Sequence, residues 1–284
     1  MAAVGAAVAV AAVVLALARE PAAAAFELEW PDARGAALGR TGPGGAAEAA
    51  GWLFETPSDT AAAARGPRWS ASFSGGELYG LAEARGAAAE AGVARDDTRA
   101  AVRAATLGSR RYEERTVAAE VGRRLSDDLA CWLRVRVLGI AAEGYDGLWS
   151  CAVDARIARR AAGRLVLAAG VENAGGARIG GSPVATAAGA SAALALDGAT
   201  LEAGVRAEAG LPASSSLAVE AAAGAWLRVR ASATSEPGTV GLGIGIGREG
   251  GDPAEALRRP VVDAAWTWHP ELGVSTFVTV RFGR

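Results

Sequence analysis

Lysine is absent from this 284-residue sequence, histidine and methionine occur once each, and cysteine occurs twice. Each scarcity removes a class of chemistry. All 29 basic residues are arginine and the formal net charge is −2, so there is no basic footprint for nucleic acid. The all-arginine usage, with abundant alanine and glycine, reads as GC-rich coding. Cys131 and Cys151 are too few for a disulfide framework, although an oxidising compartment would permit one bridge. A hairpin turning near Glu143-Gly144 places Cys131 roughly opposite Arg156, several residues from Cys151 and beyond the ~7 Å bridging limit. Two free thiols on an apolar face are therefore expected. His269, beside Pro270, reads as a turn residue. One histidine and two cysteines cannot build a usual zinc site, so no metal and no cofactor are expected.

Catalytic motifs are equally scarce. Gly189-Ala190-Ser191-Ala192-Ala193 misses the G-x-S-x-G nucleophile elbow. The run Gly241-Leu242-Gly243-Ile244-Gly245-Ile246-Gly247 fails the G-x-G-x-x-G spacing. It reads as a strand with apolar residues outward and glycines inward, leaving room for a plug or a bend. The acidic pairs Glu113-Glu114 and Asp96-Asp97 sit at turns, where solvation is the ordinary role. An enzyme is not expected.

Long hydrophobic runs are missing too. The chain is 51% hydrophobic with a mean hydropathy of +0.20, yet no run of 18 apolar residues follows the N-terminus. The apolar content is dispersed rather than gathered into membrane helices. Residues 1–25 read as a signal peptide: an apolar stretch from Ala2 to Ala18, then small residues to an A-x-A site at Ala23-Ala24-Ala25. The stretch has no arginine before it, and an uncleaved anchor is the alternative. Residues 26–66 are rich in Ala, Gly and Pro, with turn signals at Thr41–Gly45 and Thr56–Asp59. A short strand or helix is expected there, as a candidate plug for a barrel mouth.

From Pro67 to Arg284 the period is close to two, which puts alternate side chains on opposite faces of a strand. Leu201, Ala203, Val205 and Ala207 oppose Glu202, Gly204, Arg206 and Glu208. Leu129, Cys131, Leu133, Val135 and Val137 oppose Trp132, Arg134 and Arg136. Trp149, Cys151, Val153, Ala155 and Ile157 oppose Ser150, Asp154 and Arg156. Leu227 and Val229 oppose Trp226, Arg228 and Arg230. Val274, Thr276, Val278, Val280 and Phe282 oppose Ser275, Phe277, Thr279 and Arg281. Strands are expected near 67–75, 80–92, 97–107, 113–124, 128–142, 145–157, 163–173, 184–196, 200–210, 214–222, 225–234, 238–248, 259–268 and 273–283. Helix propensity competes only in alanine-rich stretches such as 86–91 and 99–105.

The expected fold is all-β: a transmembrane antiparallel up-and-down β-barrel of about 14 strands (12–14). Such strands match the ~9–11 residues that cross a bilayer at a tilt. Charges of both signs recur on the polar face, and Trp and Tyr fall near run ends, as in interfacial girdles. Arg134, Arg136, Asp154, Arg156, Glu172, Glu202, Arg206, Glu208, Arg228 and Arg230 are the candidate lumen-lining residues. A soluble periplasmic β-protein shows the same one-dimensional alternation and is the competing architecture.

Two stretches carry a family resemblance. One is Ala33-Arg34-Gly35-Ala36-Ala37-Leu38-Gly39 followed by Trp52-Leu53-Phe54-Glu55-Thr56-Pro57-Ser58, with Thr-Pro-Ser standing where the family has Asn-Pro-Ala. The other is the hairpin Trp266-Thr267-Trp268-His269-Pro270-Glu271-Leu272-Gly273 leading into Val274–Phe282. Together they resemble the PorV/PorQ family of outer-membrane proteins, which is similar to FadL-type barrels. The resemblance implies a bacterial outer-membrane barrel set in lipid. It either passes small hydrophobic molecules or partners secretion and surface-attachment proteins.

Overall fold

The computed structural model describes residues 30–39, 68–247 and 260–283. The expected signal peptide, the Thr41–Gly45 and Thr56–Asp59 turns and the Trp52–Ser58 motif lie outside the described residues. Seven strands come first: β1 (Arg68–Glu77), β2 (Arg85–Arg95), β3 (Thr98–Gly108), β4 (Tyr112–Ser126), β5 (Leu129–Ala142), β6 (Leu148–Ala162) and β7 (Leu165–Glu172). A two-stranded ribbon follows, β8 (Arg178–Ile179) and β9 (Ser182–Pro183). The wall then continues with β10 (Ala187–Leu196), β11 (Ala199–Glu208), β12 (Ser214–Ala222), β13 (Leu227–Thr234), β14 (Val240–Ile246), β15 (Val261–His269) and β16 (Gly273–Gly283). All but β8 and β9 pair in one closed antiparallel barrel of 14 strands. β1 closes it on β16, from Ser70 opposite Gly283 to Glu77 opposite Thr276. Closure leaves no sheet edge, as a sheet in hydrocarbon requires.

The strand count agrees with the sequence reading, and so does nearly every boundary. The largest shifts are of five residues, at the end of β6, expected at 157 and observed at Ala162, and at the start of β2, expected from residue 80 and observed from Arg85. Leu78 to Ala84 is instead a compact turn, with Leu81 N–H donating to Leu78 O and Ala84 N–H to Leu81 O, both at 2.9 Å. Tyr79 and Gly80 have positive φ there, which ends the strand early. The alanine-rich stretches 86–91 and 99–105 are strands, because each lies between two paired neighbours.

Alternation sorts the side chains inside-out. Leu217 is 64% exposed, and Val102, Val117, Val205, Leu242 and Val278 stand on the outer surface with it. Arg230 is only 3% exposed and Asp263 is fully buried. A water-soluble barrel encloses its large apolar residues, whereas here they face outward and the charges face in. In β14 the glycines at 241, 243 and 245 are buried while Val240, Leu242, Ile244 and Ile246 are exposed.

The two ends of the barrel differ. One end, the base, holds the start of β1 and the end of β16, and the two-residue turns 96–97, 127–128, 163–164 and 197–198. Gly163 and Gly198 supply the positive φ that two of these turns need. At the turn 127–128, the Ser126 hydroxyl donates to Asp128 (2.6 Å), which holds that carboxyl below the ordinary aspartate range; Arg159 at 3.5 Å adds to the effect. The other end, the rim, carries the connections 78–84, 143–147 and 173–186, while the base also carries the connection 247–260 between β14 and β15.

Candidate functional site

The barrel interior is the candidate site, and alternation along each strand places its residues. On one wall, Asp154 of β6 receives Arg134 at 2.7 Å and Arg136 at 2.7 Å, both from β5. Glu172 of β7 lies 3.9 Å from Arg134 and 3.1 Å from Arg206 of β11, and Arg206 also pairs with Glu208 at 2.7 Å. Arg156 stacks over the Trp132 ring at 4.7 Å and lies 3.8 Å from Glu120. Glu202 accepts from the Ser191 hydroxyl at 3.2 Å. Arg230 of β13 bridges Glu220 (2.5 Å) and Asp263 (2.6 Å), and Asp263 also accepts from Arg281 at 2.9 Å. Arg228 is half-buried two residues before Arg230 on the same strand.

Of the ten candidates, Arg134, Arg136, Asp154, Glu172, Arg206 and Glu208 thus form one connected group. Arg230 belongs to a second. Arg156 pairs with Glu120, and Glu202 accepts from Ser191. The candidate list lacked the interior residues Asp263, Arg281, Glu90, Arg103 and Asn173, of which alternation had put only Arg281 on a polar face. The parity of β2, β3, β15 and β16 carried the signal for the first four; Glu90 pairs with Arg103 at 3.5 Å across β2 and β3. Trp226, grouped with Arg228 by alternation, lies instead in the turn before β13 and is exposed.

Two inserted segments occupy the rim half of the bore. The first contains helix α1 (Ala33–Ala37), capped by Asp32, whose carboxylate accepts from Gly35 N–H at 2.5 Å. Ala33 N–H donates to the Thr279 hydroxyl at 2.7 Å, and the Arg34 guanidinium forks onto Glu220 at 3.0 and 2.7 Å. Trp30 packs on Phe277 with centroids 5.3 Å apart, and its carbonyl accepts from Arg103. The helix lies against the glycine face of β14: a Cβ on Gly243 would stand 2.5 Å from the Ala37 Cβ, and one on Gly241 2.9 Å from the Ala37 carbonyl oxygen.

The second insert is the connection 173–186. β7 stops at Glu172, but β6 runs on toward the rim through Asp154 to Leu148 without it. Asn173 turns the chain inward at φ 52°. Its N–H donates to Asp154 (2.9 Å), its amide NH2 to Val184 O (2.8 Å), and its side-chain oxygen accepts from Ala177 N–H (2.7 Å). Ile179 and Val184 then pack on Leu138 and Ala152 of the inner wall. Asn173 is fully buried. No alternation marks this turn, so sequence reasoning had no purchase on it.

His269 does the work of a turn: its Nδ1 accepts from the N–H groups of Glu271 (3.2 Å) and Leu272 (3.1 Å). Cys131 and Cys151 are both free, opposite Ile157 and Val137 respectively.

No protein-family model and no curated protein matches the sequence. Solved structures do. The chain superimposes on CymD, a monoaromatic hydrocarbon channel, with a TM-score of 0.55 at 10% identity, over 91% of this chain and 98% of that one. The Pseudomonas putida toluene transporter TodX gives 0.54 at 11%, and a Pseudomonas aeruginosa FadL homologue 0.50 at 9%, with the same coverage. The fold is that of the FadL-like barrels. At these identities the likeness is one of architecture.

Proposed function

We propose that this protein is an outer-membrane channel that passes small hydrophobic molecules. The observation that carries the reading is the inside-out barrel with a chain segment held inside its bore. Large apolar side chains on the outer wall suit lipid, and buried charges suit a lumen. The ten candidate residues would line that lumen, with residues 26–66 as its plug and residues 1–25 as the export signal. Short turns belong on the periplasmic side of such barrels, so the base would face the periplasm and the rim the exterior. The hydrocarbon channels of like fold support the solute class.

The test is flux of a small aromatic hydrocarbon into liposomes holding the full mature chain or a form lacking residues 26–66. Uptake that rises when the segment is removed is the expected result. A second reading follows from the two inserts in the rim half: a barrel that transports nothing and partners secretion or surface-attachment proteins. Absence of uptake in both forms would favour it and end the channel reading.

A further inference from the structure

The arginines of the outer wall are confined to one side of the barrel. Arg85 and Arg95 of β2, Arg115 and Arg123 of β4, and Arg159 of β6 point outward. The arginines of β11, β13 and β16 all face the bore. Each outward arginine stands where its strand leaves the apolar belt. Between Arg85 and Arg95 the outer face of β2 is Ala87, Ala89, Ala91 and Val93. Between Arg115 and Arg123 that of β4 is Val117, Ala119 and Val121. Toward the rim, β6 has Trp149 at this boundary, in one cross-strand row with Thr106, Arg115 and Gly139. The Trp149 ring lies over Gly139, where a Cβ would stand 2.4 Å from it. Exposed tryptophans of this kind mark the headgroup level of a membrane barrel, so Arg115 belongs to that boundary.

At the base, outward arginines sit beside the aspartate turns: Arg95 pairs with Asp96 at 3.6 Å and Arg159 with Asp128 at 3.5 Å. The rim is different. The turn joining β3 to β4 adds Arg110 and Arg111, both exposed, and neither guanidinium has a partner among the described residues. Next to them, Arg85 pairs with Glu77 at 3.2 Å and Arg115 with Glu113 at 2.6 Å. Exposed pairs such as these contribute little, so either arginine can take a second anion. β2 and β4 flank β3, which puts Arg85 and Arg115 on strands about 10 Å apart with the turn between them. Two clefts open there, one on each side of the turn. Arg85, Arg110 and Arg111 line the first with Glu83 and Glu113, and Arg110, Arg111 and Arg115 line the second with Glu113 and Glu143. In each cleft arginines outnumber glutamates, and Glu113 is already held by Arg115.

We propose that this side of the rim binds the phosphate-bearing headgroup of an outer-leaflet lipid. Guanidinium forks match phosphate oxygens and hold them through charge-assisted hydrogen bonds. Directly toward the base lies an apolar floor for the acyl chains, with Ala89, Ala104 and Val117 in one cross-strand row. That floor is what makes the occupant a lipid and not free phosphate. The inference rests on the membrane reading with the rim facing outward, and it requires no solute to pass through the bore.

The test uses lipid A, whose headgroup carries phosphate, and the same lipid enzymatically stripped of phosphate. The full mature chain is held in detergent micelles doped with either lipid, and native mass spectrometry measures the lipid bound per barrel. EDTA is present throughout, so that no divalent cation bridges the lipid to Glu83 or Glu143. Lipid A should bind at least about tenfold more tightly than the stripped lipid. Arg110→Gln/Arg111→Gln should lose that preference, and Arg110→Lys/Arg111→Lys should keep most of it. Arg123→Gln, at the base end of β4, should leave it unchanged. Heat-dependent gel mobility shows that each variant is a folded barrel. Equal binding of the two lipids, binding of neither, or a preference that survives the glutamine variant overturns the site. Displacement of lipid A by inorganic phosphate at equal concentration overturns it as a lipid site. Hydrocarbon flux into liposomes tests the channel reading separately, so the two proposals fail by different measurements.

Discussion

At the scale of single residues, the interior depends on charges that cannot stand alone. Asp263 is fully buried and takes hydrogen bonds from Arg230 and Arg281. Removing one member of such a group strands the others in a poorly solvated space, which costs about 3–5 kcal/mol. Asp263→Asn is therefore expected to lower barrel stability by that order, read as a shift in the urea midpoint in lipid vesicles. An unchanged midpoint would show that water in the bore solvates Arg230 well. Most of these residues were legible from alternation alone, because a charge in phase with its strand's polar face can point only one way. Asp263 was missed although Val261 and Ala265 share its face, since a lone acid among apolar neighbours gives alternation little contrast.

At the scale of elements, the connection 173–186 depends on Asn173. Its side chain answers two backbone groups, Val184 O and Ala177 N–H, and its backbone takes a left-handed conformation that asparagine tolerates. Asn173→Ala leaves both groups unanswered, at about 1–3 kcal/mol each. The ribbon of β8 and β9 should then open more often, and trypsin should cut after Arg178 about tenfold faster or more. Cleavage at the wild-type rate would mean that Ile179 and Val184 hold the insert without the asparagine. The strands themselves were readable to within a few residues, because each is long and half-exposed. The inward turn of 173–186 was not, because its cause is an absence in the wall: the β6–β7 pairing ends at Ala155 opposite Val171, leaving Leu148 to Asp154 of β6 unpaired on that side.

At the scale of the whole molecule, the outer surface decides the environment. Val117, Val121, Leu133, Val135, Val137, Trp149 and Ile157 form a continuous exposed apolar face across β4 to β6. That extent of apolar surface is far beyond what a soluble monomer ordinarily shows. Cys151 is exposed within it. A nitroxide on Cys151, in a Cys131→Ser background and in reconstituted vesicles, is expected to relax more with molecular oxygen than with a water-soluble nickel chelate. The reverse order would put this face in water and remove the membrane reading.

The amino-acid sequence by itself determined the strands, their number and which side chains share a face. A period of two is a local property of the extended chain and survives without any knowledge of neighbours. Only the tertiary structure decided which face is inside. Alternation is the same for a soluble barrel and a membrane barrel, and closure of β1 on β16 turns one face into a bore and the other into an outer wall. It also decided that α1 lies on the glycine face of β14 and that Asn173 reaches Asp154. Those contacts join residues far apart in the chain or turn on where a strand stops.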